Sequence, residues 1–400
     1  MEVVNRVDYA SAQLDDVEDS VGTVIKQSVT QGLNDGALVT FRIPRDNESY
    51  TDLNSILLQV EFYIVKRASG VEAAVTDTDN VLLDVGGIHS FFSSCDVRFN
   101  GELMSTMTAY PYSSALQRYL GTGKAVREGV WDEVDGTWPP TNLRQSLVRT
   151  ADDTGLFDKA KKLALGRTKL TGRLYSDILA SSRQYLPPGV ELGIDLRRAP
   201  DAFTIASSKD VPAGTTFSVR LASVSVLARR LHLRPVLHNA VVENMKQQSP
   251  HIVFNRLETR VSVVGNGLGG YQWLDCLNGA PLPNRIYIGL VSQKGFFGHM
   301  NKIGPYFEGE NLKSLNVKLN GRDLLVEPIT AKFEYEAGTK SLKLSDSDGK
   351  AGFLSLVGAM DQVSDQTGSL RLSYTEYMSG STLYAIELGK CGNKSDSCTG

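Results

Sequence analysis

The segment Asp96–Leu103 reads DVRFNGEL, and Asn316–Asp323 reads NVKLNGRD. Both contain Val, a basic residue, an apolar residue and then Asn-Gly in one register, at an offset of 220 residues (from 100 to 320). Asn-Gly favours the left-handed backbone of a two-residue hairpin turn, so each segment predicts a β-hairpin. Chance recurrence in a long β protein is the alternative, but the half-length offset favours a duplicated β unit.

Strand-like patterns surround both segments. In NSILLQVEFYIVKR, the residues Leu58, Val60, Phe62 and Ile64 alternate with more polar neighbours, which predicts a strand with one buried face. Further strand-like runs are SSCDVRFNGELMST, TKLTGRLYSDI, VELGIDLRRA and TFSVRLASVSVLARRLHLRP. A weaker echo links GVELGIDL, from Gly189, with GSTLYAIEL, from Gly380, and both read as late core strands. These patterns predict an all-β fold class with short helices in connecting loops, and each half is long enough for an eight-stranded jelly roll, so two tandem eight-stranded jelly rolls fit the chain.

The chain divides into four parts on these patterns. Residues 1–36 are polar and acidic, and we expect an N-terminal arm outside the sandwiches that can hold a short helix. Residues 37–240 form the first jelly roll, 241–390 the second and 391–400 a flexible tail. The boundary falls in PVLHNAVVENMKQQSPHI, after which HIVFNRLETRVSVVG resumes the strand pattern.

The first predicted jelly roll carries excursions between its strands. Short helices are expected near 113–123 and 157–166, both closing on Gly. Residues near 124–156 combine charges, Gly and a Pro pair, which indicates a long inserted loop.

Composition bounds the function. The 400 residues exceed one ordinary domain, and 42 Lys and Arg against 45 Asp and Glu give a net charge of -3, which offers no reason to expect nucleic-acid wrapping. We expect no secretory signal and no membrane span. The four cysteines, Cys95, Cys276, Cys391 and Cys398, are too few for a disulfide scaffold. Free thiols are favoured, and pairing of Cys391 with Cys398 stays open.

The possible nucleotide-binding, metal-binding and catalytic motifs lack the surrounding sequence pattern that each of these sites requires. Gly265–Gly270 reads GNGLGG, but no helix pattern follows it, so a loop is favoured over a dinucleotide site. The five histidines, His89, His232, His238, His251 and His299, do not have the spacing of zinc ligands. The sequence also contains no recognisable set of catalytic residues. Cys95 fits a small buried hydrophobe in a strand.

The remaining polar signals also favour structural roles. The acidic pairs Asp15-Asp16 and Asp152-Asp153 indicate solvated surface. The basic pairs Arg197-Arg198 and Arg229-Arg230 indicate salt bridges or subunit contacts. Sequons at Asn47 and Asn393 are taken as chance. We predict no enzyme and no catalytic, cofactor-binding or metal residue.

Three longer segments resemble a known family. YTDLNS with its long strand, YLPPGVELGIDLRRAPDAF, and GAPLPNRIYIGLVSQKGFFG are similar to patterns of double jelly-roll major capsid proteins from Polinton- and adintovirus-like double-stranded DNA viruses, or their endogenous copies. The matches run in order from about Ala37 to Leu388. The acidic arm and the tail KCGNKSDSCTG depart from the pattern.

The resemblance implies a structural role in a virion. It implies a homotrimeric, hexon-like, pseudo-hexagonal capsomer of an icosahedral shell, assembled inside the host cell. Expected partners are the chain itself, neighbouring capsomers, penton and minor capsid proteins, and an inner membrane or core reached through the termini, with no sequence-specific nucleic acid. The rival classes are a two-domain jelly-roll carbohydrate-binding protein or adhesin, and a jelly-roll hydrolase or cupin-like oxygenase.

Overall fold

A computed structural model defines the architecture. It describes residues 18–121, 134–137, 154–181, 185–207, 211–247, 252–264, 270–271, 273, 282–336, 342–360 and 372–388. Over these ranges the chain is mostly β, with short helices, which confirms the predicted class in outline.

The strands fall in two groups along the chain. Those of the first half are β1 (Glu18–Val29), β2 (Leu38–Ile43), β3 (Ser49–Ala68), β4 (Val71–Ala74), β5 (Val81–Leu83), β6 (Phe92–Phe99), β7 (Glu102–Thr108), β8 (Arg167–Arg173), β9 (Tyr185–Leu186), β10 (Leu192–Arg198), β11 (Ile205–Ser207) and β12 (Thr215–Leu233). Those of the second half are β13 (Arg285–Gly289), β14 (Leu312–Leu315), β15 (Lys318–Leu319), β16 (Arg322–Asp323), β17 (Ile329–Ala331) and β18 (Leu383–Glu387).

The helices are short and lie between strands. They are α1 (Tyr110–Gly121), α2 (Thr154–Ala164), α3 (Asp177–Ser181), α4 (Asp201–Thr204), α5 (Pro235–Gln247), α6 (Gln293–Phe297), α7 (Lys350–Ala359) and α8 (Tyr374–Met378). Helices α1 and α2 confirm the two helices predicted near 113–123 and 157–166. None of the helices in the described ranges has the length and apolar character that a membrane crossing requires.

Two antiparallel sheets of the first half pack face to face. One has the order β1-β12-β3-β4, with β8 and β9 also paired to β3, and the other has the order β2-β10-β6-β7. Strands β2 and β3 are consecutive in the chain but lie in opposite sheets, while β3 pairs with the distant β12. A β-sandwich with long-range pairing results.

Period-two alternation builds the sandwich core. On β3, Leu58, Val60 and Phe62 are 0% exposed and Ile64 is 3% exposed, whereas Tyr63 on the opposite face is 39% exposed. Each such buried side chain contributes about 1.5–3 kcal/mol relative to an exposed one. The inward side chains of both sheets join one hydrophobic cluster, as the predicted alternation requires.

Both predicted Asn-Gly hairpins are confirmed. Asn100 and Gly101 have φ of 50° and 87°, and Asn320 and Gly321 have φ of 50° and 79°. Phe99 pairs with Glu102 in the first turn, and Leu319 pairs with Arg322 in the second. The first hairpin joins β6 and β7 in a four-stranded sheet, whereas the second joins only the two-residue strands β15 and β16.

A second hydrophobic cluster lies mainly in residues after 285. Its described strands form the pairs β13–β18, β14–β17 and β15–β16, and helix α7 packs beside β18. Leu383, Tyr384 and Ala385 of β18 are buried, as are Leu192, Ile194 and Leu196 of β10, so both predicted late core strands are confirmed.

The N-terminal arm departs from its prediction. Residues 18–29 are β1, which pairs antiparallel with β12 from Glu18↔Leu233 to Val29↔Val224. The expectation that the whole arm lies outside the sandwiches is therefore wrong for residues 18–29, and residues 18–36, the described part of the arm, contain no helix. Inward-facing Ile25 and Val29 are only half-buried, so the segment was too polar to read as a strand.

The segment after the predicted boundary also departs. The strand pattern of HIVFNRLETRVSVVG predicted a strand, but residues 252–264 belong to no sheet of the described chain. Ile252, Phe254 and Leu257 nevertheless pack against the first core. The pattern therefore indicated a segment that packs on the core but not its conformation, because Leu257 breaks the two-residue period of Ile252 and Phe254. Helix α5 occupies the preceding PVLHNAVVENMKQ.

Candidate functional site: the outer face of the four-stranded sheet

The outer face of the β2-β10-β6-β7 sheet is a polar surface arranged in rows. Directly paired residues in a sheet share a face, so the register fixes which side chains are neighbours. The three outward rows are Arg42–Gly193–Arg98–Leu103, Thr40–Asp195–Asp96–Thr106 and Leu38–Arg197–Ser94–Thr108. Along each strand these outward side chains, most of them charged or bearing a hydroxyl group, alternate with apolar side chains that face the core.

Asp195 is the centre of this face. Arg42 Nη1 lies 3.0 Å from Asp195 Oδ1, and Arg98 Nε lies 2.8 Å from Oδ2. Burial raises the pKa of Asp195, but hydrogen bonds from Arg98, Thr40 and Arg42 outweigh it and hold the pKa below its usual value. The side chain of Asp195 is only 6% exposed, so this is a fixed cross-strand ion triad.

Asp96 lies directly opposite Asp195 in the ladder. Its Oδ1 is buried and accepts no hydrogen bond in the described part of the chain. Two carboxylates on neighbouring strands repel each other, and an unsatisfied buried oxygen costs free energy. The pairing of Asp96 with Asp195 is therefore unfavourable within the sheet, in contrast to the satisfied ion triad beside it.

A second polar contact joins the two hydrophobic clusters. Asp84 Oδ2 accepts a 2.7 Å hydrogen bond from Gly304 N, and the Tyr112 hydroxyl donates to Gly304 O at 2.8 Å. Asp84 Oδ1 accepts from Gly86 N at 3.1 Å. Burial raises the pKa of Asp84 to about 7 despite these bonds. The carboxyl fastens the first half to the second.

Helix α1 takes part in the same junction although it lies in the first half. Tyr112 stacks on Phe296 with ring centroids 5.3 Å apart and meets Phe307 edge-on at 6.1 Å. Tyr112, Ala115 and Tyr119 belong to the second hydrophobic cluster. The cores thus share an element.

The middle of the predicted insertion is anchored in the first core. Ile88 N donates to Asp135 O at 2.8 Å, and Thr171 N donates to Val134 O at 2.8 Å. Asp135 and Thr137 are buried. Residues 124–133 and 138–153 of the insertion, including Asp152-Asp153, lie outside the described ranges, and residues 154–156 belong to α2.

The residues singled out from the sequence are dispersed. Cys95 is a buried free thiol in β6, as predicted. His89 is buried against Tyr110, with Nδ1 3.1 Å from the hydroxyl, and burial lowers its pKa to about 3. His232 lies in β12, His238 in α5 and His299 on an exposed stretch. In the described residues no three His, Cys, Asp or Glu side chains are grouped as metal ligands.

One arginine of each basic pair forms a salt bridge, which is one of the two predicted roles. Arg198 Nη2 lies 3.0 Å from Asp201 Oδ1, and Arg230 Nη1 lies 3.3 Å from Asp46 Oδ2. Arg198 is fully buried, with its guanidinium 5.5 Å from the centre of the Phe91 ring. These arginines brace the sandwich.

Several flagged positions lie outside the described residues. They are Asp15-Asp16, Gly265 to Gly269 of GNGLGG, His251, Cys276, Asn393, Cys391, Cys398 and the tail 391–400. Asn47 is described and exposed.

The ion triad was not predicted from the sequence. Its signal was the charge at alternate outward positions, Asp195 and Arg197 on β10 and Asp96 and Arg98 on β6. Joining them required the pairing of strands about a hundred residues apart, which alternation alone does not provide.

Comparison with known proteins gives structural neighbours only. No family model and no curated protein matches the chain. A structure of the Sputnik virophage by cryo-EM is similar with a TM-score of 0.46 and 13% identity, over 99% of this chain and 81% of that one. A quasi-atomic model of the PBCV-1 virus capsid is similar with a TM-score of 0.43 and 10% identity, over 92% and 78%.

Other matches are partial. The mavirus major capsid protein is similar with a TM-score of 0.32 and 13% identity, over 71% of this chain and 54% of that one. The match to PBCV-1 VP54, fitted into a reconstruction of Sputnik, spans 46% of that chain.

Proposed function

We propose that the chain is a major capsid protein of a double-stranded DNA virus that self-assembles as a pseudo-hexagonal homotrimer in an icosahedral shell. The observation that carries the proposal is that the same two structural features occur with each of the two hydrophobic cores. Each core region has an Asn-Gly hairpin with left-handed φ and a late buried strand that follows a positive-φ glycine, Gly189 or Gly380. Three copies of a chain built twice from one unit can fill a sixfold position.

The proposed architecture is a double jelly roll. Residues 37–240 form the first unit and 241–390 the second, each with eight strands, and the insertion near 124–156 belongs to the first. Support comes from the sandwich of the first unit, whose consecutive strands β2 and β3 lie in opposite sheets. The strand pairs β13–β18 and β14–β17 support a second β unit.

The family-like segments occupy structurally central places. The segment GVELGIDL contains β10, which is paired on both sides, with β2 and with β6. The segment RIYIG is β13, the partner of β18 in the second core. The resemblance therefore includes the buried strand β10 and the half-buried strand β13 as well as the stretches that flank them.

We further propose that the outer face of the four-stranded sheet contacts a neighbouring copy. The accessible side chains of this face, among them Arg42, Arg98 and Thr106, are charged or carry a hydroxyl group and suit a polar interface. Other proposed partners are neighbouring capsomers, penton and minor capsid proteins, and an inner membrane or core near the termini. Assembly takes place inside the host cell, and the protein ends in the virion.

The experiment is size determination by light scattering, followed by electron microscopy. We expect a particle of three times 43.6 kDa with a pseudo-hexagonal outline. A stable monomer that binds glycans would instead establish the carbohydrate-binding or adhesin alternative and overturn the proposal.

A variant tests the proposed contact face. Thr106→Arg places a long charged side chain on the outer face without touching the core, because Thr106 is exposed. We expect it to prevent assembly of folded protein, while Ser345→Arg at an exposed site of the second half assembles normally. Normal assembly of Thr106→Arg would exclude this face as the contact. The proposal of a trimer would not be affected, because the mass from light scattering tests it separately.

A further inference from the structure

Helix α5 presents an uncovered apolar stripe. Val236 is 81% exposed and Leu237 is 39% exposed, and Ala240 lies one turn further along the same face. No residue of the helix is buried. Its contact with the sandwich is Val241 against Tyr50 and Leu233, with Tyr50 Oη 3.4 Å from His238 Nδ1.

Such a helix requires cover to be stable. It has 13 residues, and isolated helices shorter than about 12–15 residues are marginal in water. Three of its residues, Val236, Val241 and Val242, are β-branched and lower the helix propensity further. Packing of another segment on the outward stripe would supply the stabilisation that the helix propensity of α5 does not provide.

The register of β1 shows which segment of the chain is nearest. Glu18, the first residue of β1, pairs with Leu233, and α5 begins two residues later at Pro235. Because β1 and β12 are antiparallel, Glu18 lies at the end of the sheet where α5 begins, and residues 1–17 are joined to the chain at this point. Seventeen residues reach about 25 Å even as a helix, and α5 is about 20 Å long.

Residues 1–17 complement this surface chemically. Val3, Val7, Ala10 and Leu14 recur at spacings of four, three and four, which is an apolar helical face. Glu2, Asp8, Asp15 and Asp16 outnumber Arg6 in this segment. The end of β12 that precedes α5 carries Arg229, Arg230 and Arg234, and residues 229–242 include no acidic residue. Asp46, 3.3 Å from Arg230, and Asp52, which interacts with Arg229, offset part of this positive charge.

We propose that residues 1–17 dock on the outward stripe of α5 in the same chain, with the apolar face against Val236, Leu237 and Ala240. Asp15 and Asp16 then lie toward the basic end of β12. The proposal is independent of the capsid function, because it concerns a contact within one protomer. It makes the stability of α5 conditional on the N-terminal segment.

Hydrogen exchange of the full chain measures this contact. We expect deletion of residues 2–17, which keeps β1, to accelerate exchange of the α5 amides at least about tenfold while β3 and β12 stay unchanged. Equal α5 exchange with and without the segment would overturn the proposal.

Point variants in the full-length protein guard against effects of the deletion. Val7→Asp with Leu14→Asp should reproduce the acceleration in α5, because charge on the apolar face opposes docking. Ala12→Asp lies on the opposite side of the predicted helical face and is the matched control. Equal effects of the control and the double variant would contradict the assigned face.

Charge reversal separates the electrostatic contribution. Asp15→Lys with Asp16→Lys should accelerate α5 exchange, and Asp152→Lys with Asp153→Lys should not. Protection of α5 that rises with protein concentration and ignores the Val7 and Leu14 changes would assign the stripe to a second copy and overturn the proposal.

Discussion

Asp84 Oδ2 accepts a hydrogen bond from Gly304 N at 2.7 Å, across 220 residues of chain. Asp84 belongs to the segment after β5 in the first half, and Gly304 lies among the residues of the second half. A Cβ at Gly304 would stand 2.9 Å from Asp84 Oδ1, so only glycine permits this approach without rearrangement. One carboxyl therefore sets how closely the halves approach.

Asp84 makes the stability pH-dependent. Its pKa is about 7 in the folded chain against an ordinary 3.8, so the folded state holds its proton more tightly. The resulting stabilisation is complete below about pH 4 and is lost as the pH rises to about 7. In Asp84→Asn the group cannot ionise, and we expect a flatter dependence of the unfolding free energy on pH over that interval.

The same variant should also lower stability at pH 5. Its amide NH2 replaces one of the two oxygens that face Gly86 and Gly304, at a cost of about 1–3 kcal/mol. Chemical denaturation at pH 5 and pH 7 measures both effects, with the exposed Asp346→Asn as control. An unchanged pH profile in Asp84→Asn would assign the dependence to other groups.

The two Asn-Gly turns should respond alike to substitution. Gly101 and Gly321 have φ of 87° and 79°, and an added Cβ at either meets nothing within 4 Å. Gly101→Ala and Gly321→Ala should each cost about 1–2 kcal/mol through backbone strain alone. Denaturation midpoints measure this.

Gly358 provides the matched control for the turns. It lies inside α7 with no atom within 4 Å of an added Cβ and no left-handed φ. Gly358→Ala should stabilise by about 0.5–1 kcal/mol. Stabilisation by either turn substitution would show that the turn is not left-handed in solution.

Gly87 should tolerate no side chain. It has φ of 52°, and an added Cβ would lie 2.5 Å from backbone atoms of Asp135, Gly136 and Thr137. Gly87→Ala should cost about 2–4 kcal/mol from strain and overpacking together. Gly214→Ala, with φ of 78° and open space, isolates the strain. Equal costs in the two variants would mean that residues 134–137 move aside freely.

The Cys95 thiol should be inert in the folded protein. Burial, with Asp96, Asp177 and Asp195 nearby, raises its pKa far above the ordinary value, so the reactive thiolate is suppressed. With a thiol reagent at pH 8, peptide mapping should show Cys95 labelling at least about 100-fold slower than after unfolding. Rapid labelling of native protein would contradict its burial.

Local patterns predicted the parts of the fold that local physics determines. The alternation of Leu58, Val60 and Phe62 and the turn chemistry of Asn100-Gly101 needed no knowledge of distant residues. The pairing of β1 with β12 did require knowledge of distant residues, because residues in register such as Val24 and Arg229 are far apart in the chain. The proposed site depends on such pairing too, since Asp195 meets Arg42 across 153 residues.

Helix α1 has a consequence for how the molecule melts. Tyr112 comes from a connection of the first half, yet its ring is packed among Phe296 and Phe307 of the other half. If the polypeptide were cut near residue 240, the C-terminal fragment would lack the Tyr112 ring that packs in its core. The N-terminal fragment would keep Tyr112, but its ring would be exposed to water. Calorimetry should accordingly record one cooperative heat-absorption peak, and neither fragment should fold when expressed alone.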